Sequence, residues 1–103
     1  MRPAPRVTWA DSSFWLYTAA LDPAHTGATR DALIEALGRD AIEARPIWTP
    51  LHMTRLYADA PRLGGAVAEG IFRSAISLPS SSSLGELDRA RVIDSLERAI
   101  AEA

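Results

Sequence analysis

Three side chains that could bind a polar ligand lie close together in the sequence: Arg45, Trp48 and His52. A guanidinium can donate two parallel hydrogen bonds to a carboxylate or a phosphate. An indole ring offers a flat face to a base or a sugar ring, and an imidazole can donate to a phosphate or hydroxyl oxygen. The stretch therefore predicts a ledge for a partly flat, polar ligand. Structural explanations stay open: Arg45 could pair with Glu43, Trp48 could belong to the core, and His52 could satisfy a backbone carbonyl.

The composition excludes several kinds of chemistry. All 11 cationic side chains are arginine, which stays protonated and cannot form a Schiff base. The chain has no cysteine, so it has no thiolate nucleophile and no thiolate metal ligand. Its two histidines, His25 and His52, stand in separate loops with no carboxylate at ligand spacing. The serine run Ser80 to Ser83 lacks the Gly-x-Ser-x-Gly pattern of a nucleophile elbow. We therefore predict no catalytic residue and no metal site in this chain.

Length and charge narrow the class of protein. The 103 residues suit one domain. A net charge of -2 gives no basic field for nucleic acid or an anionic membrane surface. No apolar run approaches the roughly 20 residues of a membrane helix, and Met1 to Asp11 lacks the apolar centre of a secretory signal. We expect a cytoplasmic protein without nucleic-acid or membrane partners.

Three stretches predict β-strands. Residues 1–11, with two prolines, predict an irregular lead-in, and the domain proper is expected at residues 12–103. Ser12 to Leu21 is rich in β-formers, Ile42 to Trp48 is a second strand, and Ile76 to Pro79 is a third. Pro46 cannot donate to a ladder, so it should lie at a sheet edge or a strand end.

Two helical segments lie between these strands. Thr29 can cap a helix from Arg30 to Leu37. Pro50 can open a short helical turn that carries Leu51 to Tyr57.

Amphipathic patterns predict two further helices. One runs from Arg62 to Ala75, and the last begins at a capping box formed by Ser83 and Glu86 and continues to Ala101. In the first of these, one stripe is expected to be buried: Leu63, Val67 and Ile71.

These elements predict an α/β fold, a two-layer α+β sandwich. A small, mainly antiparallel three-stranded sheet would carry helices mainly on one face. The sheet face that carries Trp15 and Tyr17 could be free for a partner, including a second copy of the chain. Local packing that covers both faces is the alternative.

Four ordered blocks of the sequence resemble one known family. The blocks are Ser12 to Tyr17, Arg30 to Leu37, Ile42 to His52 and Leu78 to Leu84. Together they are similar to the C-terminal, small domain of DegT/DnrJ/StrS-type aminotransferases, pyridoxal-phosphate enzymes that install amino groups on nucleotide-linked sugars. The likeness extends from about Ser12 to Ala101.

The resemblance implies a role for the chain. A large catalytic domain, which precedes this one in the family, would hold pyridoxal phosphate on its own lysine. The small domain would form part of the cleft for a nucleotide-sugar, with the segment from Arg45 to His52 near the substrate. The chain alone is then expected to bind no cofactor and to be inactive. The alternative is a stand-alone, non-catalytic ligand-binding or dimerisation module derived from that fold.

Two departures from the family pattern bear on specificity. Relatives often have Leu-His-x-Gln-Pro where this chain has the segment Leu51 to Arg55, and Pro-Ser-Gly-Ser where it has Pro79 to Ser82. The first change removes an amide and a proline from the ledge, and the second removes a glycine and its backbone freedom.

Overall fold

The computed structural model describes residues 1–103, except for the side chain of Pro23. Two strands and two helices come first along the chain, followed by β3, and two 3-10 turns separate β3 from α3. The elements are β1 (Arg2–Pro3), β2 (Tyr17–Ala20), α1 (Pro23–Thr26), α2 (Arg30–Arg39), β3 (Arg45–Pro46), the 3-10 turns Leu51–Met53 and Arg55–Tyr57, α3 (Ala66–Ser74), β4 (Ala75–Leu78) and α4 (Glu86–Ala101).

Within the described chain the sheet has four antiparallel strands in the order β1-β2-β4-β3. The prediction of three strands is therefore wrong, because Arg2 pairs with Ala20 and Pro3 with Ala19 in a stretch expected to be irregular. A two-residue strand has no alternating pattern to read, and Pro3 is tolerated because β1 is an edge strand. The division into residues 1–11 and 12–103 stays a prediction.

β4 keeps the predicted length of the third strand and is shifted by one residue, to Ala75–Leu78, whereas the other two predicted strands are shorter in the structure. β2 begins at Tyr17 and not at Ser12, because Phe14 has a φ of 48° that interrupts the extended backbone. The Phe14 backbone N–H donates to the Ser12 hydroxyl at 3.1 Å, which closes a local turn. β3 comprises Arg45 and Pro46 at the far edge of the sheet, so the edge position of Pro46 is confirmed.

α2 follows its predicted start and overruns its predicted end. Thr29 is the N-cap, and its hydroxyl accepts from the Ala32 backbone N–H at 3.2 Å. The helix continues through Gly38 to Arg39, and Asp40 is its C-cap. The helical turn expected after Pro50 is present as the two 3-10 turns.

The starts of the last two helices differ from prediction. α3 begins at Ala66 because Gly64 and Gly65 have φ values of 70° and 110°, which are incompatible with a helix. The capping box at α4 is wrong: Gly85 occupies the N-cap, and the Ser83 N–H donates to the Ser81 hydroxyl at 3.3 Å within the serine loop.

The core lies between the sheet and α2. α2 packs on β3 and β4, and α4 packs on α2. Ala19 and Ile76 are paired across β2 and β4, and both are buried. Because Tyr17 and Ala19 point to the same side of β2, the sheet face expected to be free is the one that the helices cover. The buried cluster consists of Leu21, Ala28, Leu33, Leu37, Ile42 and Ile76.

The apolar stripe predicted to be buried on α3 is exposed. Relative exposure is 103% for Leu63, 77% for Val67 and 44% for Ile71. Among the described residues of α3, none is buried. The pattern correctly indicates an amphipathic helix, but it does not identify what covers the helix.

A last feature concerns membranes. Over the residues that the structure describes, none of the helices has both the length and the apolar character needed to cross a bilayer.

Candidate ligand-binding site

Arg45 and Trp48 line one open cleft of about 550 Å³ beside the edge strand β3. Leu16, just before β2, and Phe72 of α3 form part of its apolar wall, and Ser77 adds a hydroxyl group. β3 brings Arg45 opposite Ser77, and Pro46 ends the strand, so that Trp48 follows outside the ladder. The cleft thus combines a cation, an indole and a hydroxyl on an apolar wall.

Arg45 forms a surface ion pair with Glu43, as the structural alternative proposed. Its Nε donates to Glu43 Oε1 at 2.7 Å, and its Nη2 donates to the same oxygen. Both side chains are largely exposed. An exposed pair of this kind is worth about 0–1 kcal/mol. A ligand anion can therefore compete with Glu43 for the guanidinium at little cost.

Trp48 does not belong to the core, so that alternative is wrong. Its side chain is 74% exposed, and its ring meets the Trp15 ring edge to face, with centroids 6.0 Å apart. The Ser80 hydroxyl fixes the backbone below this pair by donating to the Trp15 carbonyl at 2.9 Å. Sequence reasoning missed Trp15 as a partner of Trp48, because the contact joins distant parts of the chain and leaves no spacing signal.

His52, the third residue of the predicted ledge, does not line this cleft. Its ring is mostly buried, and Nε2 lies 3.0 Å from Glu69 Oε1 on α3. Gly65 packs directly on the ring: a Cβ at this position would stand 2.9 Å from His52 Cε1. The alternative that His52 satisfies a backbone carbonyl is therefore wrong, because its partner is the Glu69 carboxylate.

Glu69 is the centre of a small charged cluster. Arg62 Nη1 lies 3.5 Å from its Oε1, and Arg73 Nη2 lies 3.4 Å from its Oε2. The hydrogen bond from His52 lowers the pKa of Glu69, and the charges of Arg73, His52 and Arg62 add to this against the opposing effect of burial. The cluster links the first 3-10 turn to α3 and so fixes the position of His52, the last residue of the predicted ledge.

A larger groove of about 870 Å³ runs between the serine loop and α4. Tyr17 and Ile93 are among its apolar walls, and Ser80, Ser81 and Arg89 add polar groups. The Ser81 and Ser83 hydroxyls lie 2.8 Å apart.

Both histidines are engaged away from this groove. His25 lies in α1, where its Nδ1 is 2.8 Å from Asp22 Oδ2, and His52 bonds to Glu69. Across the described residues no group of three or more His, Cys, Asp or Glu side chains could hold a metal.

Known proteins resemble this chain over nearly its whole length. The sequence model of the DegT/DnrJ/EryC1/StrS aminotransferase family matches residues 2–97. A Bacillus subtilis protein named as a pyridoxal phosphate-dependent aminotransferase, EpsN, is 35% identical over 100 residues, which are 93% of this chain and 25% of that protein. The GDP-perosamine synthase of Caulobacter vibrioides is 33% identical over 87 residues, which are 84% of this chain and 23% of that enzyme.

A solved structure shares the fold. The aminotransferase TlmJ of Streptoalloteichus hindustanus superposes with a TM-score of 0.81 at 24% identity, over 98% of this chain and 26% of that one. The chain thus spans about a quarter of the length of the curated relatives it matches. Because the family model covers residues 2–97, the chain belongs to the DegT/DnrJ/EryC1/StrS aminotransferase family.

Proposed function

We propose that this chain is the C-terminal domain of a pyridoxal-phosphate-dependent aminotransferase that acts on nucleotide-linked keto-sugars in amino-sugar or polysaccharide biosynthesis. It supplies one wall of the substrate cleft. The observation that carries the proposal is the meeting of Arg45 and Trp48 in one open cleft. Family membership supports the reaction class, and a relative named GDP-perosamine synthase supports a nucleotide-linked sugar.

Each ledge residue has a distinct proposed task. Arg45 releases the Glu43 carboxylate and binds the diphosphate of the substrate, because its guanidinium can donate two parallel hydrogen bonds to phosphate oxygens. Trp48 presents its ring to the base or the sugar, and Trp15 supports that ring from its edge. Glu69 engages His52 Nε2, so the proposed contact of His52 with the substrate would use Nδ1, and it needs a substrate that extends beyond the cleft lined by Arg45 and Trp48.

The residues of this chain do not fit the cofactor of the family. Pyridoxal phosphate is held by a lysine in such enzymes, and the chain has none. In this proposal the large domain holds the cofactor and transfers the amino group, typically from glutamate, and the chain alone is inactive.

Calorimetric titration of the chain with GDP-mannose and with UDP tests the ledge. Arg45→Ala and His52→Ala should weaken binding of the nucleotide by about tenfold, the cost of a charge-assisted hydrogen bond. Arg39→Ala is a matched control, because Arg39 also forms an exposed ion pair, with Glu35 at 3.0 Å, but lies on α2. If both ledge substitutions leave the affinity unchanged, the assignment is wrong.

The exposed tryptophan pair favours a second candidate, a stand-alone dimerisation module. Trp15 and Trp48 are 72% and 74% exposed, and aromatic side chains are enriched at protein interfaces. Sedimentation of the chain and of Trp48→Ala separates the candidates. A dimer that Trp48→Ala dissociates supports the module, and a monomer in both cases removes it.

A further inference from the structure

We propose that the α3 surface, defined as Leu63, Val67 and Ile71, is where the large domain of the same polypeptide packs against this chain. The inference rests on the proposed role as one domain of a longer aminotransferase. It does not depend on which ligand occupies the cleft beside Trp48.

The first observation is that one side of α3 contacts the rest of the chain and the opposite side is exposed to solvent. Glu69 binds His52 at 3.0 Å, and the Phe72 carbonyl accepts from Arg30, whose guanidinium also lies 5.1 Å from the centre of the Phe72 ring. Val67 and Ile71, one turn apart, share another face of the helix and are exposed. An amphipathic helix whose apolar side meets solvent lacks its packing partner.

Two leucines of the neighbouring 3-10 turns are exposed as well. Leu51 is 69% exposed and Leu56 is 81% exposed. The bond between His52 and Glu69 ties the first of these turns to α3. Exposed apolar side chains on neighbouring elements are typical of an interaction site.

The total surface of the chain exceeds that of a compact monomer of the same mass. A compact monomer of 11.1 kDa exposes about 5,700 Å², whereas this chain exposes 7785 Å². Its Cα radius of gyration is 15.2 Å, against about 13 Å for a compact chain of this length. An excess of about 2,000 Å² matches one side of a large obligate interface.

Two arguments select the large domain over a second copy. The chain spans 25% and 23% of two relatives, so in the proposed role the rest of a family-length polypeptide would be tethered beside it. In a two-fold antiparallel pairing of α3, the Arg62 end of one copy would meet the Arg73 end of the other. Both arginines already share Glu69, so like charges would face each other.

A chimaera tests the assignment in a full-length protein. Residues 2–97 replace the matching segment of EpsN, and Val67→Gln and Ile71→Gln are introduced singly. Each should accelerate native-state cleavage by thermolysin by about tenfold or more in the chimaera, because an apolar contact is lost. The same variants of the isolated chain should be cleaved at the parent rate. Leu87→Gln, at an 88% exposed leucine on α4, is the matched control and should change neither.

Three outcomes would overturn the inference. Unchanged cleavage of the variant chimaeras would remove the docking contact. Equal acceleration in the chimaera and the isolated chain would assign Val67 and Ile71 to internal packing. Equal acceleration by Leu87→Gln would remove the localisation to α3. The readout needs no nucleotide, so failure of the sugar-binding proposal leaves it intact.

The isolated chain provides a second test that does not depend on the chimaera folding. We expect a monomer by sedimentation, with faster amide exchange in Ala66–Ser74 than in Arg30–Arg39, because the bare helix lacks its cover. A dimer that Ile71→Gln dissociates would identify a second copy as the occupant and overturn the assignment. Strong protection of α3 in a monomer would also contradict it.

Discussion

His52 Nε2 lies 3.0 Å from Glu69 Oε1, and this bond joins the ledge after β3 to helix α3. Gly65 makes the approach possible, because its φ of 110° and its lack of a side chain let the backbone pass over the imidazole. The bond has consequences for stability that are separate from ligand binding.

The first prediction concerns the pH dependence of this bond. The pKa of Glu69 lies below its ordinary value of 4.5, chiefly because of the bond to His52. A carboxylate whose pKa is lowered by folding stabilises the native state above its unfolded pKa and loses that contribution as the pH falls through the folded pKa. Glu69→Gln should therefore lower the thermal midpoint at pH 7, and its curve should converge with the parent below about pH 4. An equal difference at pH 7 and pH 3 would contradict the ion pair.

The second prediction compares two glycines near α3. Gly65→Ala forces a positive φ on alanine and brings its Cβ to 2.9 Å from His52, so we expect a loss of about 1–3 kcal/mol. Gly70 lies within α3 and has open space around it, so Gly70→Ala should raise the free energy of unfolding by about 0.5–1 kcal/mol. Urea unfolding of both variants measures the difference. A neutral Gly65→Ala would mean that His52 does not hold this position.

The third prediction concerns the junction between α2 and α4. The buried Ser95 hydroxyl and Arg98 Nη2 both donate to Asp40 Oδ2 at 2.5 Å. The bond from Ser95 lowers the pKa of Asp40, followed by the bond from Arg98. Ser95→Ala should lower the thermal midpoint near neutral pH and lose its effect as the pH falls below the usual aspartate range.

An exposed serine provides the control for that junction. Ser82 lies in the serine loop and is exposed. Ser82→Ala should leave the thermal midpoint unchanged. If it has the same effect as Ser95→Ala, the loss is not specific to Asp40.

The fourth prediction separates the ledge from the core. Trp48→Ala removes one edge-to-face contact of an exposed ring and should cost about 1 kcal/mol. Leu37→Ala opens a cavity at a fully buried position and should cost about 2–5 kcal/mol. Denaturant titration provides both values. A larger loss for Trp48→Ala would assign Trp48 a structural role that its exposure does not indicate.

Local rules predicted the features that local physics determines. Thr29 caps α2 because its hydroxyl reaches a backbone N–H three residues ahead. Pro46 stands at the sheet edge because it has no N–H to donate. The sequence predicts one ledge of Arg45, Trp48 and His52. Arg45 and Trp48 line one cleft because they flank the end of a single strand, whereas His52 does not line it.

Features that depend on distant parts of the chain escaped prediction. β1 exists only through its pairing with β2, and the partners Trp15 for Trp48 and Glu69 for His52 are set by tertiary folding. The stripe of Val67 and Ile71 indicates a helix with an apolar side, yet it was assigned to a core that does not reach it. The periodicity of apolar residues predicts that one face of a helix is buried, but it does not identify the part of the molecule or the partner that buries it.

A nucleotide-linked sugar bound between Arg45 and Trp48, as proposed, would change the environment of two of the three indole N–H groups of the chain. In a two-dimensional ¹H–¹⁵N spectrum titrated with GDP-mannose, the Trp48 and Trp15 signals should shift together and saturate. Trp9, 84% exposed in the N-terminal segment, should stay in place. Unmoved Trp48 and Trp15 signals at saturating ligand, or an equal shift of Trp9, would contradict the account.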